Sequence, residues 1–207
     1  MKQNTNKKTQ QNYTFAVLVE NSHTGMYAWL KLPATREEVK QLFAQLQIKK
    51  NNYLISACNF YIKQINKAIL RCRNLDEINY FASKFAKLDE CSRDKLRQIL
   101  ESECDTIDSV AEAINLIYAM DYTFYTLSGV NTYEQVCEFH LACQKLSSAY
   151  APTQYIPREK YNQIGEELAH TERGKLFEGS YIAQTKIYYP DVYNGTIPHI
   201  YKLTEYR

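Results

Sequence analysis

The chain has 207 residues, 25 Lys/Arg against 23 Asp/Glu and a formal charge of +2, enough for one large domain or several small ones. Hydrophobic residues at 45% and charged residues at 23% are typical of folded proteins, which excludes wholesale disorder. Only 6 Gly and 5 Pro leave little material for a Gly-rich phosphate cradle, and no run reaches the ~20 apolar residues of a membrane helix.

The opening MKQNTNKKTQQN is polar and lacks the apolar core of a secretory signal. Residues 1–12 are therefore expected to be a loose tail, and the protein soluble and cytoplasmic with no membrane partner. Tyr13 to Val19 and Met26 to Leu32 read as two β-prone runs separated by a turn, and Pro33 ends the second. Thr35 followed by Glu38 is a capping-box signature opening a helix with Val39, Leu42, Phe43 and Leu46 on one face. Tyr53 to Tyr61 reads as a third strand. Residues 13–73 are thus expected to form an N-terminal ββαβ domain.

The periodicity then changes. Asn74 with Glu77 starts a helix bearing Leu75, Ile78, Phe81 or Ala82, Phe85 and Leu88, Ser92 starts another through Leu96, Ile99 and Leu100, and Thr106 caps a third carrying Val110, Ala113, Ile114 and Ile117. Residues 74–120 are expected to be a helical middle domain. Tyr122 to Leu127 reads as a strand, and Thr132 with Gln135 caps a helix to about Leu146. After the Ala151–Pro152 loop, a helix from about Arg158 to His170 presents Tyr161, Ile164 and Leu168 and stops at Gly174. Ser180 to Tyr189 and Ile197 to Tyr206 read as two Tyr-rich strands joined through Asn194–Gly195, a dipeptide favouring a type I′ turn. Residues 121–207 are expected to be a C-terminal α/β domain, giving an α+β fold of three small units in series.

Charge is unevenly spread. Residues 1–75 hold 12 Lys/Arg and 3 Asp/Glu, residues 76–134 hold 5 and 12, and residues 135–207 hold 8 and 8, which is +9, −7 and 0 in chain order. Lys63, Lys67, Arg71 and Arg73, interleaved with Tyr61, Ile62 and Ile65, are a candidate phosphate-contacting cluster, or equally the solvated side of a short helix. Eleven carboxylates from Asp76 to Asp121 are dense enough to imitate a phosphate track.

Chemistry of other kinds has little footing. Cys58, Cys72, Cys91, Cys104, Cys137 and Cys143 include no C-x-x-C pair and read as free thiols. Cys137, His140 and Cys143 at steps of three bring metal ligation or a Cys–His nucleophile to mind, yet no fourth ligand or orienting group is in sight, so neither metal nor cofactor is expected. No P-loop, G-x-S-x-G or H-E-x-x-H occurs, and the chain is expected not to be an enzyme.

Several segments resemble the ArdA-type antirestriction family. Trp29-Leu30-Lys31-Leu32-Pro33-Ala34-Thr35 followed by Glu38-Val39 is similar to its strand-to-helix signature. Leu75-Asp76-Glu77-Ile78-Asn79-Tyr80-Phe81-Ala82 is similar to its "L-x-E-L-N-x-L-A" helix, with Ile78 in place of Leu. Ile114-Asn115-Leu116 with Asp121-Tyr122 to Tyr125, and then Tyr161-x-x-Ile164-Gly165, Gly174 and Phe177-Glu178-Gly179-Ser180-Tyr181-Ile182, follow in the family's order. The resemblance implies an elongated, usually dimeric DNA mimic that occupies the DNA groove of type I restriction–modification enzymes. Such mimics are strongly acidic, whereas this chain is +2, so either the acidic middle acts alone or the target differs.

The function expected is thus a non-enzymatic inhibitor binding a restriction–modification or other defence enzyme. Asp76, Glu77, Asp89, Glu90, Asp94, Glu101, Glu103, Asp105 and Asp108 would be the contacting carboxylates, in a homodimer whose Tyr-rich C-terminal strands offer an interface. The rival is a nucleic-acid-binding accessory protein of a mobile element that uses the basic tail and first domain, Lys63, Lys67, Arg71 and Arg73 among its contacts.

Overall fold

The computed structural model describes residues 14–49, 52–147 and 156–204. The expected tail over residues 1–12, Tyr13, the Ala151–Pro152 loop and the final Tyr206 lie outside them. The protein is α+β, with seven α-helices and two separate antiparallel three-stranded sheets among the described residues. It divides into two compact units. The first takes in the chain as far as Phe60, Ile69–Lys87 and the segment from Ile197, and the second Tyr61–Ala68 and Leu88–Thr196. The expected divisions after residues 73 and 120 do not coincide with these boundaries, because one helix of the expected middle segment belongs to the core of the first unit.

That unit is built on a sheet of β1 (Phe15–Asn21), β2 (Tyr27–Leu32) and β3 (Tyr53–Cys58) in the order β2-β1-β3. Alternation sends Phe15, Val17, Val19, Leu30, Leu32 and Ile55 inward, all buried, as a half-solvated antiparallel sheet requires. Between β2 and β3 runs α1 (Arg36–Gln45), whose Thr35 and Glu38 form the expected capping box. Buried Asn21 braces the chain after α1. Its Nδ2 donates to the Leu46 and Gln47 carbonyls at 2.8 and 3.1 Å, while its Oδ1 accepts from the His23 and Thr24 amides. After β3, α2 (Lys63–Arg71) continues the chain.

The decisive element is α3 (Leu75–Phe85), capped by Asn74 as expected. Phe81 and Phe85 meet Phe60, whose ring also sits edge-on to Phe15 at 4.9 Å. Leu75, Ile78, Phe81 and Ala82 are fully buried and Tyr80 nearly so, so the helix is covered on more than one side. Its polar residues are committed as well. Asn79 accepts from the Ala34 amide at 2.8 Å and donates to the Tyr201 carbonyl, and Asp76 accepts from the Leu203 and Thr204 amides and the Thr204 hydroxyl.

The second unit contains α4 (Glu90–Glu101), α5 (Val110–Thr123), β4 (Phe124–Ser128), α6 (Tyr133–Ser147), α7 (Tyr161–Thr171), β5 (Lys175–Phe177) and β6 (Ser180–Gln184), with sheet order β4-β6-β5. Two helix starts differ from expectation. Asp89 caps α4 by accepting from the Ser92 amide at 2.7 Å, and Ser109 caps α5 by accepting from Glu112 at 3.1 Å. Ser92 and Thr106 lose the competition because each lies near another cap-competent residue. Burial of Ile107, whose amide donates to Gln64, keeps the chain out of the helix as far as Ser109. At Thr132 the expected box with Gln135 forms.

The C-terminal hairpin is the larger correction. The type I′ turn lies at Glu178–Gly179, both at positive φ (47° and 75°), and not at Asn194–Gly195. From Thr185 onward the described chain holds only a 3-10 turn at His199–Tyr201. Positive φ at both central residues is what the twist of a two-residue hairpin demands, and here tertiary closure imposes it on a glutamate. The segment after β6 is pinned instead by Asn115 of α5, which donates to the Tyr193 carbonyl at 3.1 Å and accepts from its amide at 2.7 Å.

The α7 helix lies against α6 so closely at Gly165 that an added Cβ would fall on the Tyr133 carbonyl. Backbone cannot yield there as a flexible side chain would. Gly165→Ala is accordingly expected to lower stability by about 2–3 kcal/mol, read as a fall in the urea midpoint at unchanged slope, whereas exposed Glu166→Ala stays within about 0.5 kcal/mol.

Candidate functional site

Folding keeps opposite signs of charge in separate units. By residue assignment the first unit holds 14 Lys/Arg and 6 Asp/Glu, a net +8, and the second 11 and 17, a net −6. Of the nine candidate carboxylates, Asp76 and Glu77 belong to the first unit, and Asp89, Glu90, Asp94, Glu101, Glu103, Asp105 and Asp108 to the second.

Asp76 is withdrawn from any contact surface. At 7% exposure it is a buried acceptor for three donors of the C-terminal segment, so ligand cations cannot reach it without unseating that segment. Glu77 is half-buried beside Cys72, whose thiol donates to it at 3.4 Å and is pushed up to about 12, chiefly by burial.

The seven others present a graded surface. Asp89 and Glu90 stand exposed at the start of α4, and the Asp89 carboxyl is held below its ordinary range by the Ser92 amide it caps. Along the same helix Arg97 gathers Asp94 at 2.8 Å and Glu101 at 2.9 Å, and also Glu178 from the β5–β6 turn at 2.7 Å. Three carboxylates on one guanidinium leave a local charge of −2 and raise the arginine's already high proton affinity. Beyond α4, Glu103 and Asp108 are exposed, while Asp105 is half-buried and its carboxyl is raised by burial and by the nearby Glu112 charge. Asp105, Glu112 and Asp191 share a cleft of about 360 Å³ with Asn115 and Gln184. In a neighbouring cleft of about 510 Å³, Arg173 and Lys175 balance Glu103 and Asp105.

The basic candidates take a simpler arrangement. Lys63, Lys67 and Arg71 recur every four residues on the exposed side of α2, whose other side buries Ile62, Ile65, Ala68 and Ile69. Arg73 is exposed just after it. Such a row fits a solvated helix face and a phosphate-tracking face alike.

Cys137 and His140 part company on α6. Cys137 is fully buried and burial raises its thiol, the opposite of what a thiolate nucleophile or ligand needs. His140 faces the least anticipated feature of the unit, a carboxylate cluster assembled by four elements. Glu172, just after α7, accepts from the Tyr125 hydroxyl of β4 at 2.7 Å and the Tyr181 hydroxyl of β6 at 3.1 Å. His140 Nε2 approaches Glu172 to 3.3 Å, near enough for an ion contact but off the line of a hydrogen bond. Tyr125 and Tyr181 are raised by burial and by the glutamate charge. Nothing in residue spacing signals this cluster, since Tyr181 and Tyr125 lie 9 and 47 residues from Glu172. Among the described residues no group of three or more His, Cys, Asp or Glu is placed to hold a metal, and no helix is long and apolar enough to cross a membrane.

No family model matches the chain, and a comparison with curated proteins finds no match.

Removal of the Glu172 carboxylate leaves two sheltered hydroxyls without their acceptor, and each such loss costs about 1–3 kcal/mol. Glu172→Ala is expected to destabilise the fold by about 2–3 kcal/mol and Glu172→Gln, which keeps an acceptor, by less than half of that. Because Tyr125 and Tyr181 titrate above their ordinary value, the folded state keeps protons that the unfolded chain loses above about pH 10. Stability is then fully present below that pH and declines above it, and Tyr181→Phe flattens the decline in pH-dependent thermal unfolding.

Proposed function

We propose that this protein is an antirestriction-type inhibitor, a DNA-mimic-like, non-enzymatic protein that binds a type I restriction–modification or related nucleic-acid-processing defence enzyme in the cytoplasm. The observation that carries the reading is the net −6 of the second unit within a chain of net +2, a segregation that offsets the near-neutral total. The resemblance to ArdA-type proteins supplies the target class and the homodimer that belongs to the same reading.

Duplex DNA carries one charge per ~1.7 Å of axis, and its protein partners meet that density with Lys and Arg. Asp89 and Glu90 at one end of α4 and Glu103 beyond the other are separated by twelve helical residues, about 18 Å at 1.5 Å each, a span over which several enzyme cations can be engaged. Asp94 and Glu101 contribute through the −2 cluster around Arg97. An exposed ion pair is worth only ~0–1 kcal/mol, so inhibition arises from many pairs acting together and weakens with salt.

The net +8 of the first unit, to which Arg71 and Arg73 belong while Lys63 and Lys67 fall in the second, favours a second reading as a nucleic-acid-binding accessory protein of a mobile element. The two readings make opposite demands on charge.

Phage plating efficiency on a restricting host, with and without the protein, separates them. The wild type is expected to relieve restriction. Combined Asp89→Asn, Glu90→Gln, Glu103→Gln and Asp108→Asn should reduce relief about ten-fold or more and flatten the salt dependence of enzyme binding, while Lys63→Gln with Lys67→Gln leaves both unchanged. If the wild type gives no relief and instead retards duplex DNA at physiological salt, the inhibitor reading fails and the second stands.

A further inference from the structure

The outer face of the first sheet is apolar where water should be. Register places Leu18 beside Trp29 and Ala57 in a middle row, Glu20 beside Tyr27 and Leu54 in one flanking row, and Ala16 beside Lys31 in the other. Tyr27 is 67% exposed, Trp29 53% and Leu54 39%, with Met26 at the adjoining turn. Contiguous apolar surface around the only Trp of the chain marks an interaction surface more often than an idle one. The Tyr-rich C-terminal strands expected to serve a dimer are not formed among the described residues.

The charges on this face select its occupant. Two copies stacked face to face can be related by a two-fold axis lying between the sheets, either along the strands or across them. An axis along β1 sets Glu20 against Glu20 of the second copy. An axis across the strands, over the middle row, stacks Trp29 and Leu18 on their own counterparts and exchanges the flanking rows. Lys31 of each copy then lies over the Tyr27 ring of the other and diagonal to its Glu20, which joins a cation–π contact to an ion pair twice over. The face is thus complementary to itself in one orientation.

We propose that the outer face of the β2-β1-β3 sheet is the contact through which two copies of this chain form a homodimer, about a two-fold axis crossing the strands at Leu18 and Trp29. The inference rests on the dimeric part of the proposed function and names the surface that carries it. The single Trp29 reports directly on the contact, since its emission shifts to the blue when a second copy excludes water.

Light scattering and tryptophan emission over a dilution series test this on the full chain. The expected result is a dimer mass at high concentration, with the emission shift and the mass change sharing one midpoint. Trp29→Thr, a β-compatible replacement, should raise the dissociation constant about ten-fold or more. Glu20→Lys and Lys31→Glu should each weaken association, and the two together should restore it to within about three-fold of wild type. Circular dichroism of each variant verifies the fold, and rescue by the double reversal cannot come from misfolding. A single-chain mass at about 100 µM overturns the dimeric reading and this proposal together. A dimer whose dissociation constant is unmoved by Trp29→Thr and by both charge reversals overturns the face alone.

Discussion

The Phe15–Phe60–Phe81–Phe85 cluster decides how this chain is partitioned. Its rings meet mostly edge to face, with Phe60 at 4.9–5.6 Å from the other three, an arrangement worth more than area burial alone. By fixing α3 to the first sheet it removes that helix from the acidic stretch in which sequence order places it. With α3 goes Asp76, committed to the C-terminal segment, and so the first unit gathers chain from three separate stretches. The carboxylates from Asp89 to Asp121 stay with the second unit, which keeps its net charge at −6.

Asparagine and glutamate then do what regular structure does not. Asn21, Asn79 and Asn115 each bond to backbone distant in sequence, and such bonds satisfy peptide groups that lie in no helix or sheet ladder. Two of them, Asn79 and Asn115, sit within the segments that resemble the antirestriction family, and Ala34 of a third segment is bonded to Asn79. Gly165, Glu178–Gly179 and Tyr181 of the C-terminal pattern are likewise a close helix approach, a turn and a member of the Glu172 cluster. These particular residues of the resembling segments are architectural here, whereas Trp29 and Lys31 of the first segment lie on the exposed face of the sheet.

That surface is not a uniform acidic coat. Arg97 draws together one carboxylate from each direction along α4 and a third from the β5–β6 turn, while Lys95 holds Asp121 at 2.9 Å. Under the proposed function a partner's cations would compete with these internal ones, which ranks the acids flanking α4 above those at its centre. The same reasoning applies to the first sheet, where Glu20 and Lys31 lie in the two flanking rows and give an apolar surface a preferred orientation.

Much was legible in the residues themselves. Period-2 and period-3.6 hydrophobicity located the ββαβ unit, α3, the strand at Tyr125 and α6, and the Thr35–Glu38 and Thr132–Gln135 boxes placed two helix starts, because those signals depend on neighbours within one turn. Ser92 and Thr106 failed as caps, and Asn194–Gly195 as a hairpin turn, where several residues qualified locally and burial chose among them. The pairing of Glu172 with Tyr125, Tyr181 and His140, the burial of Asp76 and the exposure of Trp29 had no signature in spacing. Each depends on elements tens of residues apart meeting in one place, and a side chain's partners and exposure are properties of that meeting and not of its neighbours in the chain.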